Sequence, residues 1–300
     1  MPVIKISIIT SIYKGLPYLE PFLLNFLNIE NLEETELIII HNNPSDEEKK
    51  IIDKYRPLIL NLIYQEVELE PIYTSWNRAI KLSTGEYIAM WSVDDRRTPN
   101  SLVTQALVLD KDPECMIVSG NYYKVFNYSD TNGYLKKDPV KRNRFNNFPK
   151  FNNGCFLMWR KSVHQQIGFF DEQFKIGGDW EFWSRVTSNF KALPCDCTLG
   201  YFLRARNEGL SKKKSNVNDI ENQIVHMRYY LFYIINIYTL LKIRNIKLNE
   251  ILNNDKYKKI KVTNRFIYIS LVPSLFLFWI PRFKRFLANF IYKRREESLK

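Results

Sequence analysis

The alternation of short β-branched runs with amphipathic stretches through the first 120 residues constrains this chain more than any other feature. Ile4 to Ile12, Glu36 to His41, Leu60 to Glu66, Glu86 to Ser92 and Met116 to Tyr123 are rich in residues that suit a pleated, buried surface. Segments of helical spacing lie between them. Pro17 to Leu27 sets Tyr18, Leu19, Phe22, Leu23 and Phe26 on one face; Ser45 to Tyr55 opens with a capping serine and an acidic first turn, and Ile72 to Leu82 repeats the pattern. This rhythm builds a largely parallel sheet with helices on its faces. Ligands of such sheets bind outside the carboxyl ends of the strands.

Beyond residue 128 the pattern changes. Ser129 to Asn153 is rich in Lys, Asn and Pro and reads as a loop, after which CFLMWRKSVHQQIGFFD reads as a strand feeding a short helix. GGDWEFWSRVTSNF reads as a helix whose N-terminus is freed by Gly177 and Gly178. Ser211 to Asn218 is a polar loop, and the stretch from there to Ile246 reads as one long helix with an aromatic face. The chain of 300 residues thus divides into one large α/β domain and a C-terminal appendage.

Charge divides it in the same sense. Residues 1 to 130 hold 12 Lys/Arg against 19 Asp/Glu, a net of −7, while residues 131 to 300 hold 32 against 13, a net of +19. Residues 256 to 300 alone hold 12 basic and 2 acidic side chains. That segment contains FIYISLVPSLFLFWIP, 16 residues without a charge, followed by RFKRFLANFIYKRR. A spanning helix needs about 20 apolar residues, and Pro273 interrupts this run. The mixture of aromatic and basic residues suits a helix lying in the interface of an anionic membrane, with a core-packing helix pair as the rival reading. A nucleic-acid partner fits less well, because the cations are interleaved with long apolar runs rather than spread along a polar groove.

Four cysteines are too few for a secreted disulfide framework, and MPVIKISIIT reads directly as a strand rather than a leader, so a reducing, cytoplasmic compartment is expected. Cys195 and Cys197 form a lone Cys-x-Cys pair, a poor zinc site. Three histidines leave little for serine-triad chemistry or multi-histidine metal sites. Acidic residues are better placed. GEYIAMWSVDD is a buried strand that delivers Asp94 and Asp95 at its carboxyl end, where hard oxygen ligands could hold Mg²⁺ or Mn²⁺ on substrate phosphates; a polar turn or helix cap is the alternative.

Four segments in order, SIITSIYKG (7 to 15), ELIIIHNNPSDE (36 to 47), SWNRAIKLSTGEYIAMWSVDD (75 to 95) and NNGCFLMWRKSVHQQIGFFDEQFKIGGDWEFWSRV (152 to 186), make the chain resemble a family 2 glycosyltransferase of GT-A fold. The resemblance, which covers roughly residues 3 to 211, implies an α/β Rossmann-like, mostly parallel sheet flanked by helices. It implies a domain over 1–211, with a nucleotide-sugar-binding half at 1–128 and an acceptor and catalytic half at 152–211, and leaves 219–300 as the basic-aromatic appendage, whose composition reads as helical and membrane-associating. It also implies an inverting hexosyltransferase that moves a sugar from a nucleoside-diphosphate sugar to a hydroxyl of a glycan or lipid-linked acceptor, in polysaccharide or glycolipid synthesis; the tail adds the expectation of a cytoplasmic membrane face.

Carried over by residue, the resemblance puts Ser11 and Tyr13 beside the base and ribose, Asn42 where many members have an aspartate that reads the base, and Asn77 and Arg78 near the diphosphate. Asp94 matches the last Asp of the metal-binding Asp-x-Asp and Asp95 the acid that commonly follows. Ser92 replaces the first Asp, which weakens the case for a divalent cation, and Arg204 and Arg206 stand where many members place a metal-reaching histidine. A guanidinium can neutralise diphosphate directly. Asp179 matches the general base, with Glu181 as second choice and a helix N-cap as the bland alternative. Trp180 and Trp183 are either core or an acceptor platform, with core favoured. A nucleotide-sugar-binding protein without transferase activity is the first rival.

Overall fold

A computed structural model describes residues 3–137, 156–204, 221 and 225, together with the backbone of 232–236 and 266–270. The chain divides into two units, Met1–Glu221 with residues 255–260, and Asn222–Asn254 with residues 261–300.

The first unit opens with β1 (Ile6–Ile12), α1 (Leu16–Leu27), β2 (Thr35–Asn42), α2 (Asp46–Tyr55), β3 (Leu62–Val67), α3 (Ile72–Leu82) and β4 (Tyr87–Met90). β1 lies between β2 and β4, β2 also pairs with β3, and all three pairings are parallel. All eight residues of β2 are buried, as a strand covered on both faces requires. α2 starts with a capping box: Ser45 Oγ accepts the Glu48 N–H while Glu48 returns to the Ser45 N–H. Glu48 Oε1 also accepts the Gly15 N–H at 2.7 Å, which fastens the turn after β1 to the start of α2.

β5 (Arg96–Arg97), α4 (Ser101–Lys111), β6 (Cys115–Val125), β7 (Tyr134–Lys136), β8 (Met158–Arg160), α5 (Val163–Ile167), α6 (Gly178–Asn189) and β9 (Lys191–Leu203) follow. The sheet order is β3-β2-β1-β4-β8-β6-β9-β5, with β7 on β6. β8 pairs antiparallel with both β4 and β6, so the sheet is parallel in its first four strands and mixed beyond them. β7 falls inside the span expected to be loop, and β9 was not anticipated as a strand. Trp159, His164, Phe170 and Phe182 form a buried aromatic cluster that packs α5 and α6 onto β8.

In the second unit β10 (Phe232–Asn236) and β11 (Phe266–Ser270) pair in parallel. The single long helix expected up to Ile246 is therefore strand over 232–236, where YIIN supplies β-branched residues. The start of the charge-free run is strand as well. The remainder of the expected interfacial helix lies outside the described residues. No helix among the described residues is long and apolar enough to cross a membrane.

Candidate active site

The turns after β1 and β2 both leave the sheet at its carboxyl edge, and both bend through left-handed backbone at non-glycine residues, Lys14 with φ 52° and Asn43 with φ 44°. Ser11 and Asn42 end their strands side by side. The Asn42 amide is fully engaged: Nδ2 donates to Ser11 Oγ at 3.2 Å and to Ser75 Oγ at 3.1 Å, and Oδ1 accepts the Glu70 N–H at 2.9 Å. Both amide hydrogens are thus spent, so the base-reading role implied for Asn42 reduces to one remaining lone pair on Oδ1. Ser11 keeps its own proton to donate. Tyr13 is 47% exposed, with the Lys14 ammonium over its ring at 5.4 Å.

Two residues expected near the diphosphate are committed elsewhere. Asn77 is buried and staples α3 to the segment before α6: Nδ2 donates to Phe170 O and Glu172 Oε1, and Oδ1 accepts the Phe170 N–H, each at 2.9 Å. Arg78 forms a bidentate pair with Glu70 at 3.1 and 2.8 Å, which holds the Glu70 carboxyl below its usual range. Asn77 and Arg78, which the resemblance sets near the diphosphate, are thus held by protein groups in this structure.

The two acids after β4 separate in role. Asp95 is buried; its Oδ1 accepts the Leu203 N–H at 2.9 Å, and its carbonyl accepts the Trp91 indole N–H at 2.9 Å. It fastens the end of β9 to the loop after β4, so the acid read as a possible metal ligand has a structural bond here. Asp94 has no partner from another side chain among the described residues, and burial raises its carboxyl above the usual range. Ser92 accepts the Asp95 N–H through its carbonyl at 3.1 Å. Among the described residues no group of three or more His, Cys, Asp or Glu side chains gathers as a metal-holding cluster. Tyr128 was missed by sequence reasoning. Its buried hydroxyl lacks a partner among the described residues; burial raises its pKa, with the Asp95 and Asp94 charges adding to it and the Arg96 guanidinium, 5.5 Å from its ring, opposing.

Asp179 lies in the first turn of α6 and accepts the Trp180 N–H at 2.8 Å. Burial pushes its carboxyl up to about 6, helped by the nearby Glu221 charge and opposed by backbone N–H groups. Glu181 is 1% exposed and paired with the buried Arg185 at 2.8 Å, which in turn donates to Ile167 O and Phe169 O. Glu181, the second choice for base, is thus engaged in a buried ion pair. Trp180 and Trp183 are buried, as core residues are. Arg204 is exposed, its backbone N–H on Val125 O at 2.8 Å and its guanidinium 5.8 Å from the Phe126 ring. Arg206 lies outside the described residues.

The first turn of α3 joins these pieces. Ser75 holds Asn42, while the Tyr73 hydroxyl donates to Ile176 O at 2.6 Å and accepts the Gly178 N–H at 2.8 Å. A Cβ on Gly178 would stand 2.7 Å from the Tyr73 ring, so only glycine permits this approach. α3 follows β3, so its N-terminus sits at the carboxyl edge of the parallel strands, and α6 begins against it. Asp94, four residues past Met90, leaves β4 at the same edge.

An uncharacterized glycosyltransferase of Rickettsia typhi is 26% identical over 185 residues, 59% of this chain and 57% of its own length. The chain therefore spans little more than half of that relative. The uncharacterized glycosyltransferase YwdF of Bacillus subtilis is 24% identical over 208 residues, 66% of this chain and 74% of its own. Among solved structures, Staphylococcus aureus TarS 1-349 in complex with UDP-GlcNAc superposes with a TM-score of 0.59 at 18% identity, covering 84% of this chain and 71% of that one. The mannosyltransferase PcManGT of Pyrobaculum calidifontis, in complex with GDP-Man and Mn²⁺, gives 0.51 at 14% identity, covering 85% and 70%. These likenesses show the fold. The model of glycosyl transferase family 2 matches residues 7–168, more than half of the sequence, and the chain belongs to that family.

Proposed function

We propose that the protein transfers a sugar from a nucleoside-diphosphate sugar to an acceptor hydroxyl by a single inverting displacement, with Asp179 as the base. The observation that carries this reading is the Asp179 carboxyl: half-buried, raised to about 6, and set at the start of α6 beside the carboxyl edge of the sheet. Such a group is ionised at neutral pH yet basic enough to accept a proton in the transition state. The acceptor oxygen attacks the anomeric carbon as its proton passes to Asp179. The bond from that carbon to the diphosphate oxygen breaks, and the nucleoside diphosphate leaves with the electron pair.

The donor would lie across Ser11 and Tyr13, with Arg204, and Arg206 beyond it, available to the diphosphate. TarS and PcManGT are solved with UDP-GlcNAc and GDP-Man, which makes those two donors the first to try here. Asp94 fits a divalent cation: it is a raised carboxylate with no partner from another side chain among the described residues, and Mg²⁺ or Mn²⁺ commonly takes one or two carboxylates plus substrate phosphates. When bound, such a cation would neutralise charge on the departing diphosphate. The acceptor would be a glycan or lipid-linked sugar, presented at an anionic membrane by residues 256–300.

Asp179→Asn tests the assignment. Loss of transfer by about a hundredfold or more, with donor binding kept, is the expected result; retained turnover would remove Asp179 as base. In the active protein kcat/KM should rise through pH 6 as Asp179 ionises. Ser92 in place of an acid and the commitment of Asp95 to Leu203 favour one rival, a nucleotide-sugar-binding protein without turnover. It predicts donor binding and no transfer to any acceptor.

A further inference from the structure

The turn leading into α6 is built around a carboxylate from far along the chain. Glu221 is 5% exposed, and its oxygens accept three consecutive backbone N–H groups: Oε1 from Lys175 at 2.7 Å, Oε2 from Ile176 at 2.9 Å and from Gly177 at 2.7 Å. A buried carboxylate is costly to desolvate, and a run of backbone donors is the kind of concave set that offsets that cost. These donors stand immediately ahead of the helix that carries Asp179. Left open, they would be free to turn toward a negative charge on its first turn.

We propose that Glu221 is a positioning residue for Asp179: it occupies the donors of the turn at 175–177, fixes the start of α6, and sets a second negative charge beside the one Asp179 carries when ionised. The inference rests on Asp179 being the proton acceptor. Other titratable or charged groups that the described residues bring to this end of α6 are Tyr73 on α3, Glu172 and Lys175 ahead of the helix, and Glu181 and Arg185 on it. Tyr73 is bonded to Ile176 and Gly178, Glu172 to Thr74 and Asn77, and Glu181 to Arg185. Burial is the first cause of the raised Asp179 carboxyl, and Glu221 is the one side-chain charge that adds to it. The Gly177 position leaves room for this contact, since a Cβ there would meet Glu221 only at 3.5 Å.

Carboxyl ¹³C titration of the full-length protein, with Asp179 assigned by loss of its signal in Asp179→Asn, tests the inference without needing a substrate. In Glu221→Gln, which keeps an acceptor for the turn but loses the charge, the Asp179 midpoint should fall from about 6. Glu221→Asp, which keeps a charge at greater distance, should lower it less, and it serves as the readout if the Gln variant does not fold. Hydrogen exchange at residues 175–177 should quicken in Glu221→Ala. A midpoint that does not move in any folded variant overturns the proposal, because a merely structural glutamate would leave it in place. Full sugar transfer by Asp179→Asn would instead sink the base assignment, whatever the titration shows.

Discussion

Half-buried Asp179 and buried His164 are groups whose charged forms the fold resists, and they pull stability in opposite directions with pH. The folded Asp179 carboxyl sits at about 6 against an ordinary 3.8, so the folded state holds its proton more tightly; its cost, about 3 kcal/mol at pH 7 and above, is relieved as pH falls from 6 toward 3.8. His164 is held neutral, its Nε2 accepting the Trp159 indole N–H and its ring lowered to about 4 by burial, so its contribution is lost as pH falls from 6.5 through 4. Asp179→Asn should therefore unfold at higher denaturant than the parent at pH 7.5, and this advantage should vanish by about pH 4; equal stability at pH 7.5 would contradict the raised carboxyl. The neighbouring acids give a second contrast. Asp94→Ala should weaken Mn²⁺-dependent binding of a nucleoside diphosphate by about tenfold or more, measured by calorimetry. Asp95→Ala should leave that dependence intact and cost about 1–3 kcal/mol, because the Leu203 N–H loses its acceptor. Sequence could not separate these two, since a metal ligand and a backbone lock call for the same side chain.

Strands and helices with a clean period were legible, and their chemistry explains why. β1, β2, α1, α2 and α3 match the expected spans to within a residue or two, because each carries either a buried β-branched run or a 3.6-residue apolar face. β9 was not legible. Its thirteen residues include Pro194, Asp196 and Gly200, and it meets β6 through register shifts at Gly120 and Asn121, so no alternation survives in its sequence. The site divides in the same way. Asp179 stands in a recognisable motif, whereas among the described residues Glu221 bonds to backbone N–H groups alone, which leave no trace in residue type. Glu36 is a comparable lock at the opposite edge of the sheet: it is buried and accepts from the Ser7 hydroxyl, from the Thr84 hydroxyl and N–H, and from the Gly85 N–H. Glu36→Ala leaves these donors without their acceptor and should cost about 3 kcal/mol in denaturant unfolding, with m unchanged. A loss below about 0.5 kcal/mol would show that water replaces the carboxylate.

Charge is concentrated at the end of the chain: residues 256–300 hold 12 basic and 2 acidic side chains, while residues 1–255 hold 32 basic and 30 acidic and are nearly neutral. The terminal segment should be drawn to anionic lipid more strongly than the rest. The full chain should float with anionic vesicles at low salt and release as salt rises, and a chain cut after residue 255 should stay at the bottom of the gradient. Flotation of the shortened chain would place the membrane contact elsewhere. The distance in sequence between Glu221 and the turn it grips has its own consequence during synthesis. A ribosome that has delivered Leu203 has supplied every strand of the nine-stranded sheet, yet the glutamate that secures the turn before Asp179 is still to come. The nascent protein can then assemble its scaffold before the turn ahead of Asp179 is secured.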